Sequence, residues 1–289
     1  MQTSVPRLAA LHDLSCFGRA ALTVVLPILS TMGIQVCPLP TELFSTHGAF
    51  PGYERIDLAE PLQAIIDHWR ALAIRFDAIY SGFLGSTRQI DIAARFIRDF
   101  TQPAQLVVVD PVLGDNGKSY GVTAPGMVAK MRTYIRLAHV ITPNLTEAAL
   151  LLEEPYRPDI SETEVKDWLA RLAECGPEIV IITSVPVLQT PNRIAVLAYN
   201  RKDGRFWRVA GERIPGNFPG AGDAFTSVVT GSLLQGDPLP VALDRAVQFL
   251  ALALRTTFAQ SAPVREGILL EKVLPDLAAP LKASSYELF

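Results

Sequence analysis

The chain has 289 residues, 49% of them apolar and 19% charged, and its 26 lysines and arginines against 29 acids give a formal charge of −3. That length allows one large core, and that composition excludes a disordered, collagen-like or coiled-coil chain. With no basic surplus to neutralise phosphates, a nucleic-acid partner is not expected, and a compact protein that handles small molecules is.

Short apolar or β-branched runs alternate with longer amphipathic stretches through most of the chain. Strands are predicted at Leu8 to Leu11, Ile34 to Pro38, Ala78 to Tyr80, Leu106 to Asp110, Val140 to Ile141 and Ile179 to Thr183. Helices are predicted at Ala20 to Met32, Leu58 to Ala73, Arg88 to Asp99, Gly126 to Leu137, Glu147 to Leu152 and Glu162 to Glu174. The valine run Val107 to Val109 suits a central strand buried on both faces. Parallel strands need crossovers of this kind, so the predicted class is α/β, a three-layer αβα arrangement around a doubly wound, mostly parallel sheet. Beyond Thr183 the pattern changes. Ile194 to Tyr199 and Arg205 to Val209 flank Asp203-Gly204, a hairpin signal that adds an antiparallel edge. Ala221 to Leu234 and Leu239 to Phe258 then read as two long helices on either side of Gly236-Asp237-Pro238. With no linker, repeat or low-complexity tract, residues 1–289 are expected to form one domain.

Cys16, Cys37 and Cys175 are odd in number, far apart and without zinc-ligand spacing, and so read as reduced thiols. The apolar residues of the N-terminal stretch are broken by Arg7, His12 and Asp13, unlike a signal peptide. No apolar run approaches the roughly 18 residues of a membrane span. The expectation is a cytoplasmic protein with no membrane partner, in which the sequon Asn144-Leu145-Thr146 stays unmodified.

Three segments could carry chemistry, and all are expected at or just after the C-terminal ends of predicted strands, where open α/β sheets bind ligands. In GNFPGAGDAF, Gly216 to Phe225, the small residues Gly220, Ala221 and Gly222 let backbone N–H groups converge at a helix start, where the dipole also favours anions. Asp223 in that first turn has two readings. It either complements the dipole or takes a proton from a substrate hydroxyl while the amides hold a transferring phosphoryl group. In VVVDPVLGDNGKSY, Val107 to Tyr120, Asp110 and Asp115 are either ordinary turn residues or carboxylates that hold Mg²⁺ through its waters. Gly117-Lys118-Ser119 imitates a P-loop but lacks the glycine five residues earlier, where Val112 stands. In ITPNLTEAALLL, Ile141 to Leu152, Asn144 and Glu147 have the spacing of a capping box. Their second reading is that Glu147 orients metal-bound water and Asn144 touches a nucleotide. The four histidines form no metal or triad pattern and are given no catalytic role, although His47, in FSTHGAF, falls near a ligand.

Taken in order, these segments resemble the pyridoxal kinase branch of the ribokinase-like superfamily. GAGD at Gly220 to Asp223 is similar to that superfamily's anion-hole and base motif, DPVLGDNG at Asp110 to Gly117 to its DPVxGD motif, and TPNLTEA at Thr142 to Ala148 to its TPNxxEA motif. FSTHGAF, SGFLGS and ITS, starting at Phe44, Ser81 and Ile182, occupy the places of further family segments. The resemblance implies an ATP- and divalent-cation-dependent kinase for the 5′-hydroxymethyl group of a vitamin B6 compound. It makes Asp223 the base and the amides of Gly220, Ala221 and Gly222 the anion hole. Asp110, Asp115 and Glu147 become the Mg²⁺ water shell, and Asn144, Thr183 and Ser184 the ATP contacts. The segment HDLSCFG from His12 to Gly18, with Asp13 in it, becomes part of the substrate pocket together with His47, Gly48 and Phe83, and a homodimer is implied. Asp13, Gly48 and Phe83 stand where familiar members have Ser, Thr and Tyr, so the polar contacts to the ring are expected to differ. The related hydroxymethylpyrimidine phosphate kinases carry a Gly-rich start and often Cys as the base, and neither is present here. The runner-up readings are a kinase for a related heterocyclic alcohol and a protein that binds ATP or the vitamer without turnover.

Overall fold

The computed structural model describes residues 5–121, 123, 125–260, 263–279 and 284–289. In chain order the elements are β1 (Arg7–Ser15), α1 (Leu22–Thr31), β2 (Gln35–Phe44), β3 (Arg55–Asp57), α2 (Ala59–Ala71), β4 (Ala78–Ser81), α3 (Thr87–Phe100), β5 (Leu106–Val109), β6 (Gly114–Asp115), β7 (Lys118–Ser119), α4 (Met127–Tyr134), β8 (Val140–Ile141), α5 (Leu145–Leu152), α6 (Glu162–Glu174), β9 (Ile179–Pro186), β10 (Arg193–Asn200), β11 (Arg205–Glu212), α7 (Ala221–Leu234), α8 (Leu239–Ala259), α9 (Leu270–Val273) and β12 (Tyr286–Leu288). Ten strands form one sheet in the order β12-β11-β10-β9-β8-β5-β4-β1-β2-β3, and β6 and β7 pair as a separate hairpin.

The centre of the sheet, from β9 to β2, is parallel throughout. Both edges are antiparallel, through β10, β11 and β12 on one side and β3 on the other. The hairpin was legible in the sequence. β3 and β12, at three residues each, are too short to show a strand period.

Alternation along the strands builds two cores, one on each face of the sheet. On β1, Ala9 and Leu11 pack with Leu62 of α2, Phe96 of α3 and Leu169 of α6. Leu8 and Ala10 point the other way, toward Val25 and Ile28 of α1, Val228 of α7 and Phe249 of α8. These are the two helical layers of a doubly wound fold.

Several boundaries differ from the sequence expectation, and four of them lie around the site. β1 runs past Leu11 to Ser15 and β2 past Pro38 to Phe44, because His12, Asp13, Thr41 and Glu42 are buried polar residues that continue the strands. α1 begins at Leu22 after Ala21 turns back at φ 51°. β5 stops at Val109, so Asp110 is the first residue beyond the strand. The chain leaves β1 to form β2 on one side and comes back to form β4 on the other. That reversal opens a crevice at the carboxyl ends of β1 and β4.

Candidate active site

The first turn of α7 is fixed by contact with the loop after β1. Gly220 caps the helix at φ 80°, and a Cβ there would fall 2.4 Å from the carbonyl oxygen of Arg19. Only glycine accepts both the left-handed backbone and that approach. The same contact brings Ala21 to Asp223, whose Oδ2 accepts the Ala21 N–H at 2.9 Å. The other oxygen, Oδ1, faces Nδ1 of His12 at 3.9 Å. Burial pushes the Asp223 carboxyl above its ordinary value, and the Ala21 N–H partly opposes this. A carboxylate so raised is a better proton acceptor once ionised. Of the three amides expected to form the anion hole, that of Ala221 donates to the carbonyl of Phe218 at 3.2 Å in this structure.

Asp110 adjoins this turn, since a Cβ on Gly222 would lie 4.0 Å from its Oδ2. Burial, and then the charges of Glu147 and Asp223, hold its carboxyl well above the usual range, against the hydroxyls of Thr142 and Thr226. Glu147 is 3% exposed, and its oxygens accept the Leu113 N–H at 3.1 Å and the Asn144 N–H at 2.8 Å. Burial raises it to about 8, against the amides of Asn144, Leu113 and Gly114. Asp115 is half-buried in the β6–β7 hairpin, where both its oxygens accept from Asn116 at 2.8 Å.

Among the described residues, no group of three or more His, Cys, Asp or Glu side chains could enclose a metal ion directly. The donor set nevertheless fits a hydrated hard cation, because every donor is a carboxylate oxygen and the charges acting on Asp110 are negative. A cation would relieve that repulsion.

The three expected nucleotide contacts are neighbours, Asn144 just beyond β8 and Thr183 and Ser184 inside β9, which runs on to Pro186 rather than ending at Thr183. Asn144 forms an isolated parallel bridge with Thr183, and its Nδ2 donates to the carbonyl of Gly114 at 2.8 Å. The Thr183 N–H donates to Pro143 at 3.0 Å. Ser184 is exposed at φ 61°, in the left-handed region.

The expected substrate residues lie across the crevice. Asp13 is 7% exposed and accepts from the Ser15 hydroxyl at 3.3 Å. Burial, and then the charge of Asp223, raise its carboxyl to about 7. The His47 Nδ1 accepts the Ala49 N–H at 3.3 Å, and its ring would meet a Cβ on Gly18 at 2.6 Å, so the loops after β1 and β2 interlock. Burial lowers its pKa. Phe83 is half-buried, 6.0 Å from the ring of Phe44. Gly48 is exposed, with no heavy atom within 4 Å of where a Cβ would lie.

Two groups have no role of their own in the sequence reading, although His12 begins the HDLSCFG segment placed at the substrate pocket. His12, fully buried, stands against the base. Glu42, also fully buried, accepts from the Arg55 Nε at 2.6 Å and from Gln89 at 3.3 Å, under the loop that carries Phe83. The signal for His12 was its parity with Leu8 and Ala10, which aims it at the face that α7 covers.

Known proteins similar to this chain identify its family. A family model for phosphomethylpyrimidine kinases matches residues 58–266, which include the DPVLGD, TPNLTEA and GAGD segments. A Bacteroides thetaiotaomicron protein classed among the phosphomethylpyrimidine kinases and crystallised with pyridoxal is 53% identical, with 99% of this chain and 100% of that one covered and a TM-score of 0.96. Pyridoxal kinase from Lactobacillus plantarum is 34% identical, with 96% and 98% covered and a TM-score of 0.86. A pyridoxine/pyridoxal/pyridoxamine kinase of Bordetella bronchiseptica is 28% identical over 249 residues, 83% of this chain and 86% of that one. The chain belongs to the phosphomethylpyrimidine kinase family, within the ribokinase-like superfamily that also holds the pyridoxal kinases.

Proposed function

We propose that the protein is a pyridoxal kinase that transfers the terminal phosphoryl group of ATP to the 5′-hydroxymethyl group of a B6 vitamer. The observation that carries this reading is the placement of Asp223. One of its oxygens is held by the Ala21 N–H, and the other faces His12 Nδ1 at 3.9 Å, in the first turn of α7.

In this reading Asp223 Oδ1 accepts the hydroxyl proton as the substrate oxygen attacks the γ-phosphorus, the bond to the β-phosphate oxygen breaks, and ADP leaves. Amides of the Gly220 to Gly222 turn stabilise charge on the transferring group, which makes glycine at 220 a functional as well as a steric requirement. Asp110, Asp115 and Glu147 would hold Mg²⁺ through its waters, and the ion would neutralise charge on the phosphates. Asn144, Thr183 and Ser184 contact the nucleotide, and Asp13, His47, Gly48 and Phe83 surround the ring. By resemblance the working form is a cytoplasmic homodimer, each chain a single domain. No helix among the described residues is long and apolar enough to cross a membrane.

A coupled ADP-release assay with pyridoxal, pyridoxamine, pyridoxine and hydroxymethylpyrimidine tests the reading, with mass spectrometry of the product. Phosphorylation of a B6 vitamer at its 5′ oxygen is expected. Turnover of hydroxymethylpyrimidine alone would favour the second reading, which the name of the matching family model supports. No turnover of any alcohol would overturn both.

A further inference from the structure

One buried polar residue beside the base has no part in the reaction above. His12 is fully buried, and neither of its ring nitrogens has a hydrogen-bond partner among the described residues. Buried polar atoms without partners are rare enough in folded proteins that such a pair calls for an explanation. The ring cannot turn to find partners elsewhere. Its edge is set against Tyr80, with centroids 4.3 Å apart and planes at 79°. At Gly82 a Cβ would fall 2.3 Å from Nδ1 and 2.5 Å from Cε1. The missing side chain at Gly82 therefore makes room for the imidazole, and the crowding fixes its orientation.

In that orientation Nδ1 faces Oδ1 of Asp223 at 3.9 Å, across 211 residues of sequence. We propose that His12 is the positioning residue for Asp223, its Nδ1–H donating to Oδ1 of the carboxylate when substrate is bound. The proposal rests on Asp223 being the base of the kinase reaction. Catalytic hydrogen bonds are commonly long before the substrate complex forms and tighten within it. The carboxylate oxygen can only accept, so the tautomer that satisfies the pair carries its proton on Nδ1. Burial lowers the His12 pKa to about 3, so the ring is neutral at working pH and gives a hydrogen bond rather than an ion pair. With Ala21 on Oδ2 and His12 on Oδ1, both oxygens are oriented, and a remaining lone pair of Oδ1 is left for the substrate proton. No proton passes to His12.

The test compares His12→Leu, His12→Asn and Gly82→Ala by kcat, by the Kd of ATP and of the vitamer, and by thermal unfolding. Leucine fills a similar space without an N–H, and asparagine keeps an amide near Nδ1. His12→Leu is expected to lose about 10- to 100-fold in kcat, the order of loss from misplacing a catalytic group by about 1 Å. Both Kd values should stay within about threefold, and His12→Asn should recover part of the lost rate. Gly82→Ala should reproduce the loss in the wild type and add little to His12→Leu, because both changes break the same contact.

A kcat for His12→Leu within about twofold of wild type would overturn the proposal, as would an asparagine variant no faster than leucine. If His12→Leu does not fold, His12→Asn and Gly82→Ala decide. Asparagine faster than Gly82→Ala supports the positioning role, and asparagine equal or slower overturns it. A wild type inactive on every vitamer overturns the kinase reading and this proposal together, whereas an active wild type matched by His12→Leu overturns this proposal alone.

Discussion

Glu147 and Asn144 lock each other. Glu147 Oε2 accepts the Asn144 N–H at 2.8 Å, and Asn144 Oδ1 accepts the Glu147 N–H at 3.0 Å. This capping box does more than start α5, because Glu147 Oε1 also accepts from Leu113 at 3.1 Å and the Asn144 amide donates to Gly114 at 2.8 Å. Two segments some 30 residues apart are thus tied through one cap. The expected consequence of Glu147→Gln is a loss of about 1–2 kcal/mol in stability, since an amide cannot accept at both positions. Urea denaturation measures it, and unchanged stability would mean that the cap is unimportant.

Asp115 differs from Glu147 in being a half-buried hairpin residue whose oxygens accept, among the described residues, from Asn116. If both carboxylates organise cation-bound water, Asp115→Asn and Glu147→Gln should each raise the Mg²⁺ concentration for half-maximal rate by about tenfold or more. A Mg²⁺ titration of the initial rate reads this directly. Curves that superimpose on wild type for both variants would remove these residues from the metal's surroundings.

Asp223→Asn keeps an oxygen for the Ala21 N–H and removes the proton acceptor. Turnover should fall by roughly 10²- to 10⁴-fold, the usual contribution of a general base, with the Kd of ATP within a few-fold. Near wild-type turnover in this variant would refute the assignment.

Asp13 couples specificity to pH. Burial, followed by the charge of Asp223, lifts its carboxyl from 3.8 to about 7. The fold therefore favours the protonated form. The stability this residue contributes is complete below about pH 4 and is lost as pH rises through about 7. Asparagine suffers no such loss, so the Tm of Asp13→Asn relative to wild type should increase from pH 4 to pH 7 and then level off. A Tm difference independent of pH would show that Asp13 titrates normally. In the same variant, kcat/KM for B6 vitamers should drop by about tenfold above pH 7, where the ionised carboxylate accepts a charged hydrogen bond from the ring worth about 1.5 to 3 kcal/mol, and by less below it.

Gly220→Ala tests the turn that presents the base. The backbone there is at φ 80°, and the new methyl would meet the Arg19 carbonyl at 2.4 Å. The loop after β1 would have to move, so a loss of more than about 1 kcal/mol in stability is expected, together with a large fall in kcat. Wild-type kcat in a folded Gly220→Ala protein would show that this contact does not position the anion hole.

The sequence by itself determined the class of fold and pointed to the segments of the candidate site, because those signals are local. The valine run of β5 shows burial on both faces, the Asn144 and Glu147 spacing predicts a cap that is present, and the GAGD glycines mark a left-handed helix start. Each depends on residues within about one turn or one strand of each other. What only the tertiary structure decided is set by pairing across the sheet. The extension of β1 through His12 and Asp13 is not visible to a pattern that ends strands at the first polar residue, because their burial depends on β2 and β4 lying alongside. The edge strands β3 and β12 owe their existence to partners rather than to any period of their own. The contact of Ala21 with Asp223 spans 202 residues, and that of His12 with Asp223 spans 211. The fold closes these distances by packing α1 and α7 on one face of the sheet, where the apolar stripes of both helices and the even positions of β1 are buried together.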